Sequence, residues 1–239
     1  MREKVIIGLL ALSCMTGSGQ SLSHDLLKMQ SWQAGSVVST EAVQRYGLKR
    51  CFVAEPLPDA VVKLMRGRSY PSGCPVALSS LRYVRVLHIG FDGHTHLGEL
   101  VCNKRIANDV AAVFRELYLK RYAIEQIRLI DHFGASDELS MRANNTSCFC
   151  YREVKGSTKL SKHAEGLAID INPLYNPCVR RLHGRTTVQP ATAARYADRR
   201  TAFAHKIDRN DLLYKAFTAH GFRWGGAWRS VKDYQHFEK

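Results

Sequence analysis

The clearest pattern along the chain is an alternation at residues 167–172, where Leu167, Ile169 and Ile171 take turns with Ala168, Asp170 and Asn172. That period predicts a half-buried strand with Asp170 and Asn172 on the face away from the core. Gly166 permits a sharp turn just before it, so His163 on the incoming loop can fold back towards Asp170. Residues 81–91 predict a second strand, Asp92-Gly93 a turn, and residues 97–102 its returning partner. Val110, Val113, Phe114, Leu117 and Tyr118 fall at the spacing of a core-facing helical stripe. Residues 124–130 read as a strand, residues 41–46 and 61–65 as short helices. A further helix runs to His220, capped by Asp208 or Asn210 and stopped by Gly221. Residues 134–161 form a loop long enough to be functional, and residues 180–198 are polar and irregular. The order hairpin, helix, strand, loop, strand gives an α+β fold with helices packed against an antiparallel sheet.

Composition changes this picture in two places. The chain has ordinary globular content, 45% hydrophobic and 23% charged, and its 239 residues suit one sizeable domain. Its net charge of +14 is not ordinary, and implies attraction to a polyanion: nucleic acid, anionic lipid or anionic cell wall. No zinc-finger spacing or aromatic RNA-binding motif supports the first, so no nucleic-acid partner is expected. The second place is the N-terminus. Met1-Arg2-Glu3-Lys4, an apolar run at 5–12 and small and polar residues through Gly19 read as a secretory signal, too short to span a membrane. Cys14 raises the alternative of a lipoprotein signal, with a lipid anchor as the only membrane attachment. Six further cysteines, Cys51, Cys74, Cys102, Cys148, Cys150 and Cys178, favour disulfides in an exported chain; Cys148 and Cys150 are alternatively thiolate metal ligands. Pro56-Leu57-Pro58 marks a boundary. The expected division is a signal peptide at 1–19, an N-terminal extension at 20–56 and the working domain at 57–239.

His163, Asp170 and the distant Asp233-Tyr234-Gln235-His236 supply three possible zinc ligands and one spare carboxylate. Catalytic zinc sites need that inventory, with a position open to water and a base beside it. The three-residue spacing from Asp233 to His236 does not fit one face of a regular strand, so a turn, bulge or helical segment is required there.

The string S-x-H-x-x-G-x-A-x-D-I at 161–171, followed by D-x-x-H, resembles the zinc D-Ala-D-Ala carboxypeptidase and L-Ala-D-Glu endopeptidase family, the VanY-like cell-wall peptidases. His96-Leu97-Gly98-Glu99-Leu100-Val101, Asn144-Asn145-Thr146-Ser147, the run from Asp170 to Pro177 and Gly221-Phe222-Arg223-Trp224-Gly225-Gly226 are similar too, so the resemblance extends from about residue 56 to the end. It implies a hedgehog/DD-peptidase-like fold with a zinc site on the sheet. It implies Zn2+ held by His163, Asp170 and His236, with Asp233 as general base. The family carries an Arg before its first zinc His; Arg152 is the choice here and Arg142 the fallback. Ser161, Asn172 and Trp224 are candidate substrate contacts, with Trp224 and Trp228 as possible walls of a groove. Ala227 departs from the family string, which often carries an acid there. The implied substrate is peptidoglycan or its stem peptides, in the periplasm or cell envelope. A non-catalytic wall-binding module that keeps the fold is the competing class, and a basic nucleic-acid binder is third.

Overall fold

The structure is a computed structural model that describes residues 15–154, 158–182 and 184–239. Residues 1–14, with the apolar run and Cys14 of the expected export signal, lie outside the described residues. From there the chain forms α1 (Met15–Gln30), β1 (Val37–Val38), α2 (Thr40–Tyr46), β2 (Val53–Glu55) and α3 (Asp59–Met65). Ser39 starts α2 by accepting the Ala42 N–H, and Gly47 ends it at a φ of 98°. Next come β3 (Leu81–Ile89) and β4 (Thr95–Asn103), paired antiparallel along their whole length. Asp92 Oδ1 accepts the His94 N–H to close their turn. β1 and β2 add the two edges of this sheet, in the order β1-β4-β3-β2. Residues 20–56, expected as an extension, thus supply both edge strands.

The hairpin has two buried faces. Val84, Val86, Leu100 and Cys102 pack on α4 (Ala107–Leu119), whose Val110, Val113, Phe114 and Leu117 form the expected stripe, while Tyr118, expected with them, packs against the second cluster. Each such side chain contributes on the order of 1.5–3 kcal/mol by leaving water. Leu81, Leu87, Leu97 and Val101 face the other way, against α1, α2 and α3. Residues 124–130 depart from expectation: only β5 (Gln126–Ile127) is strand, followed by a 3-10 turn at Ile130–Phe133. Ile124 and Ile127 enter one core and Leu129 the other. The apolar run therefore reports burial on two sides rather than an extended ladder.

Beyond α5 (Asp137–Arg142), β6 (Asn145–Thr146) pairs parallel with β5. β7 (Ala168–Asp170) follows, then the hairpin β8 (Cys178–Leu182) and β9 (Arg185–Gln189). That hairpin occupies the stretch expected to be irregular; β9 is mostly exposed, so no apolar period marks it. α6 (Leu212–Ala219) is capped by Asp211, which accepts the Leu213 N–H, while Asp208 caps only the preceding turn. β10 (Arg223–Trp224), β11 (Val231–Asp233) and β12 (His236–Glu238) end the chain. They complete two three-stranded sheets, β10-β12-β7 and β11-β8-β9. The architecture is α+β, with mainly antiparallel sheets and helices against them.

Gly166 is where the two halves meet. Its φ is 68°, and a Cβ there would stand 2.8 Å from the backbone nitrogen of Asn103, which donates to the Gly166 carbonyl. Gly166→Ala is expected to lose about 1–2 kcal/mol from the left-handed backbone alone, with the contact adding to it. Urea unfolding checks this; unchanged stability would show that the turn can relax.

Candidate metal centre

His163 enters the centre on one 3-10 turn, Lys162–Glu165. Ser161 Oγ accepts the His163 N–H at 3.3 Å to begin it, and left-handed Gly166 ends it. Asp170 closes β7, and His236 lies directly opposite in the β12–β7 ladder, so the two side chains share a face. His236 Nδ1 is 3.0 Å from Asp170 Oδ1. His163 Nε2 is 3.3 Å from the same oxygen and 3.2 Å from His236 Nδ1. All three residues are buried.

This triangle fits a metal ion. Tetrahedral zinc with bonds of about 2.0–2.1 Å spaces its ligand atoms roughly 3.3–3.4 Å apart, close to the edges seen here. His163 Nδ1 lies 2.7 Å from the Cys148 carbonyl, so Nδ1 carries the hydrogen and Nε2 is the nitrogen left to face the centre. Two imidazoles and a carboxylate are also a chemically suitable donor set for zinc.

Without a metal the cluster is an ion pair. Burial opposes the Asp170 charge, but His163 and His236 outweigh it and hold the carboxyl well below its usual range. Burial likewise opposes the His236 cation, yet the Asp170, Glu238 and Asp233 carboxylates push it up to about 10. A metal must displace that proton to bind, so its binding is coupled to pH.

Glu238 stands behind His236. Its Oε2 is 3.5 Å from His236 Nε2, a buried nitrogen with no hydrogen bond. Arg223, its ladder partner, holds the other oxygen at 2.8 Å. Sequence reasoning missed Glu238, although i+2 on a strand shares the face of residue i. Glu238→Gln is expected to weaken zinc binding roughly 10-fold, measured by chelator competition; unchanged affinity removes Glu238 from this role.

Asp233 ends β11, and Tyr234-Gln235 carries the chain into the other sheet, supplying the expected break before His236. A methyl on Gly225 would come 2.9 Å from Asp233 Cβ and 3.2 Å from His236 Cβ, so both residues pack on this glycine. Asp233 Oδ1 is buried without a partner. Burial first, and the Asp170 charge second, raise its carboxyl to about 6, with His236 opposing. The half-buried Trp228 ring lies 5.1 Å from that of His236.

Arg152 is held by Asp137 at 3.0 Å, while its Nε is buried without a partner. Burial works against its charge, but the Asp137 and Asp170 carboxylates outweigh it. Arg142 sits on the outside of α5, paired with Glu138. Ser161, Asn172 and Trp224 are all buried. Ser161 caps the His163 turn, Asn172 Nδ2 donates to the Ala123 carbonyl at 3.1 Å, and Trp224 Nε1 donates to the Tyr234 carbonyl at 2.9 Å. These bonds tie all three residues to the backbone around them.

The expected disulfides are not formed: Cys51, Cys74, Cys102, Cys148, Cys150 and Cys178 are free thiols. Several have partners of their own, Cys51 at the Gly47 carbonyl, Cys148 at that of Gly166 and Cys150 at that of Ala135. Burial drives the Cys148 thiol well up and that of Cys150 to about 12, which disfavours both as thiolate ligands.

Residues 155–239 match the model of a family described as D-alanyl-D-alanine carboxypeptidase. The matched stretch holds His163, Asp170, Asp233 and His236, and it supports the resemblance carried by those residues and a peptidase. No solved structure matches the chain.

Proposed function

We propose that the chain is an exported zinc metallopeptidase that hydrolyses peptidoglycan stem peptides, of the D-Ala-D-Ala carboxypeptidase or L-Ala-D-Glu endopeptidase type, on a hedgehog/DD-peptidase-like fold. One observation carries the reading: a buried triangle of two imidazole nitrogens and one carboxylate oxygen with a buried carboxyl, Asp233, packed beside it, whose Oδ1 has no hydrogen-bond partner while the Cys178 thiol bonds the carboxyl. His163, Asp170 and His236 would hold the ion. Zinc bound there supplies a Lewis acid for the scissile carbonyl and makes water acidic enough to attack at neutral pH.

The remaining work falls to the chain itself. Asp233 takes the proton of the attacking water and hands it to the leaving amine. A carboxyl raised to about 6 is a stronger base for the first transfer than an ordinary carboxylate, and still acidic enough to give the proton up in the second. Arg152, with a free Nε–H, offers positive charge to the developing oxyanion. Trp228 offers an aromatic wall beside His236. The charge of +14 suits a substrate rich in carboxylates, and the signal-like N-terminus suits a periplasmic or envelope location.

Hydrolysis of purified muropeptides, read by mass, tests the proposal. Release of D-Ala or of a stem fragment supports it and names the bond; binding without cleavage by zinc-loaded protein favours the wall-binding module. Asp233 speaks for the enzyme, since a module that only binds needs no buried acid with a free oxygen beside its ligands.

A further inference from the structure

We propose that a cavity between α3 and the β3–β4 hairpin is a second ligand site, for a small organic monocarboxylate with an apolar body. The inference does not rest on the reading of the metal centre. The cavity has a volume of ≈ 530 Å³ and is lined by Trp32, Leu64, Arg85, Glu99, Arg128 and His132, among others. That size suits a small ligand.

The sheet face behind it is otherwise apolar, with Leu81, Leu87, Leu97 and Val101 buried there. Yet Arg85 and Glu99 sit directly opposite each other on that face, and Glu99 is only 6% exposed. An apolar pair would serve the fold at least as well, because burying charges is costly. These charges therefore call for a reason beyond folding.

Both acids already have partners. Glu99 accepts the Tyr83 hydroxyl at 2.7 Å and faces His132 Nε2 at 3.0 Å. Glu55 pairs with Arg85 Nε at 3.2 Å. Arg128 has no acidic partner among the described residues. Its side chain lies against Gly35, 3.5 Å from where a Cβ would stand, and its Nε is buried without a hydrogen bond. Arg85 Nε also lacks a well-aligned acceptor. The lining balances two guanidiniums against Glu55 and Glu99, and Arg128 is the guanidinium that neither acid holds, so its planar fork is left to match a carboxylate.

The apolar body has its place too. Trp32 adopts a φ of 46°, a left-handed conformation that is costly for a bulky residue and is often found where a site is built. Its indole is pinned by the Gly98 carbonyl at 3.0 Å, with the Arg85 guanidinium 5.0 Å from the ring centre. Val61 and Leu64 of α3 line the cavity as well.

The test is a titration of the full chain with N-acetyl-leucine, its amide and inorganic phosphate, following the assigned indole N–H signals by NMR with and without chelator. The expected result is a saturable shift at Trp32 with the acid, none with the amide, and no change on adding chelator. Arg128→Gln is expected to weaken binding roughly 10-fold or more. If that variant does not fold, the acid–amide comparison on the wild-type chain stands alone. An unmoved Trp32 signal, equal binding of the amide, an equal effect of phosphate, or loss of binding with chelator each overturns the proposal.

Discussion

Replacing Asp233 by Ala is expected to lower stem-peptide hydrolysis by roughly 10²–10⁴-fold while zinc stays bound in equimolar amount. The ligand triangle does not include Asp233, so its loss leaves the donor atoms in place, and the carboxylate removed is the one that moves protons. The wild-type pH profile carries the same information. A base must be deprotonated to act, so the rate rises with pH through the pKa of Asp233. In the metal-free chain burial and the Asp170 charge raise that carboxyl to about 6, above the ordinary carboxylate range of about 4, and bound zinc would pull the limb down from there. The variant should lose that limb along with its rate. Loss of zinc in Asp233→Ala would make Asp233 a ligand and move the role of base elsewhere.

Asp170→Ala is expected to lose the metal and to destabilise the metal-free chain as well. Its carboxylate touches both imidazoles, at 3.0 Å and 3.3 Å, and two imidazoles alone do not make a three-ligand site. Removing it also takes away the nearest partner of the buried His236 cation and leaves it to Glu238 at 3.5 Å; breaking a buried pair typically costs up to about 3–5 kcal/mol. The effect has a pH window. Asp170 has a depressed pKa, so its contribution is present above an unfolded value near 4 and fades only as pH falls through its lower folded value. His236 is raised to about 10, so its contribution is full below an unfolded value of about 6.5 and fades as pH rises through 10. The pair is complete between roughly pH 4 and 6.5, and denaturant unfolding of metal-free protein should show the largest loss there. Equimolar zinc in this variant would exclude Asp170 from the ligand set.

The parts of the fold legible in the sequence are those with a strong local signal: the apolar stripe of α4, the turn at Asp92-Gly93 between two long apolar runs, and the 167–172 alternation, although the hairpin and β7 prove buried on both faces. The mostly exposed β9 offers no apolar face to mark the β8–β9 hairpin, and residues 124–130 pass between two cores, so periodicity misled there. At the centre, residue types pointed to His163, Asp170, Asp233 and His236, but only strand register shows that His236 faces Asp170. Ser161, Asn172 and Trp224 lie within the same short motifs as the ligands, which hid their hydrogen-bonding to the scaffold. Glu238 was within reach of a two-residue period and passed unnoticed because no motif includes it.

The most direct measurement is zinc X-ray absorption on the purified, zinc-loaded protein. The expected spectrum has only nitrogen and oxygen neighbours, at about 2.0–2.1 Å, with the outer-shell signature of two imidazoles. A sulfur neighbour near 2.3 Å, or failure of the protein to retain zinc at all, would contradict a centre built from His163, Asp170 and His236.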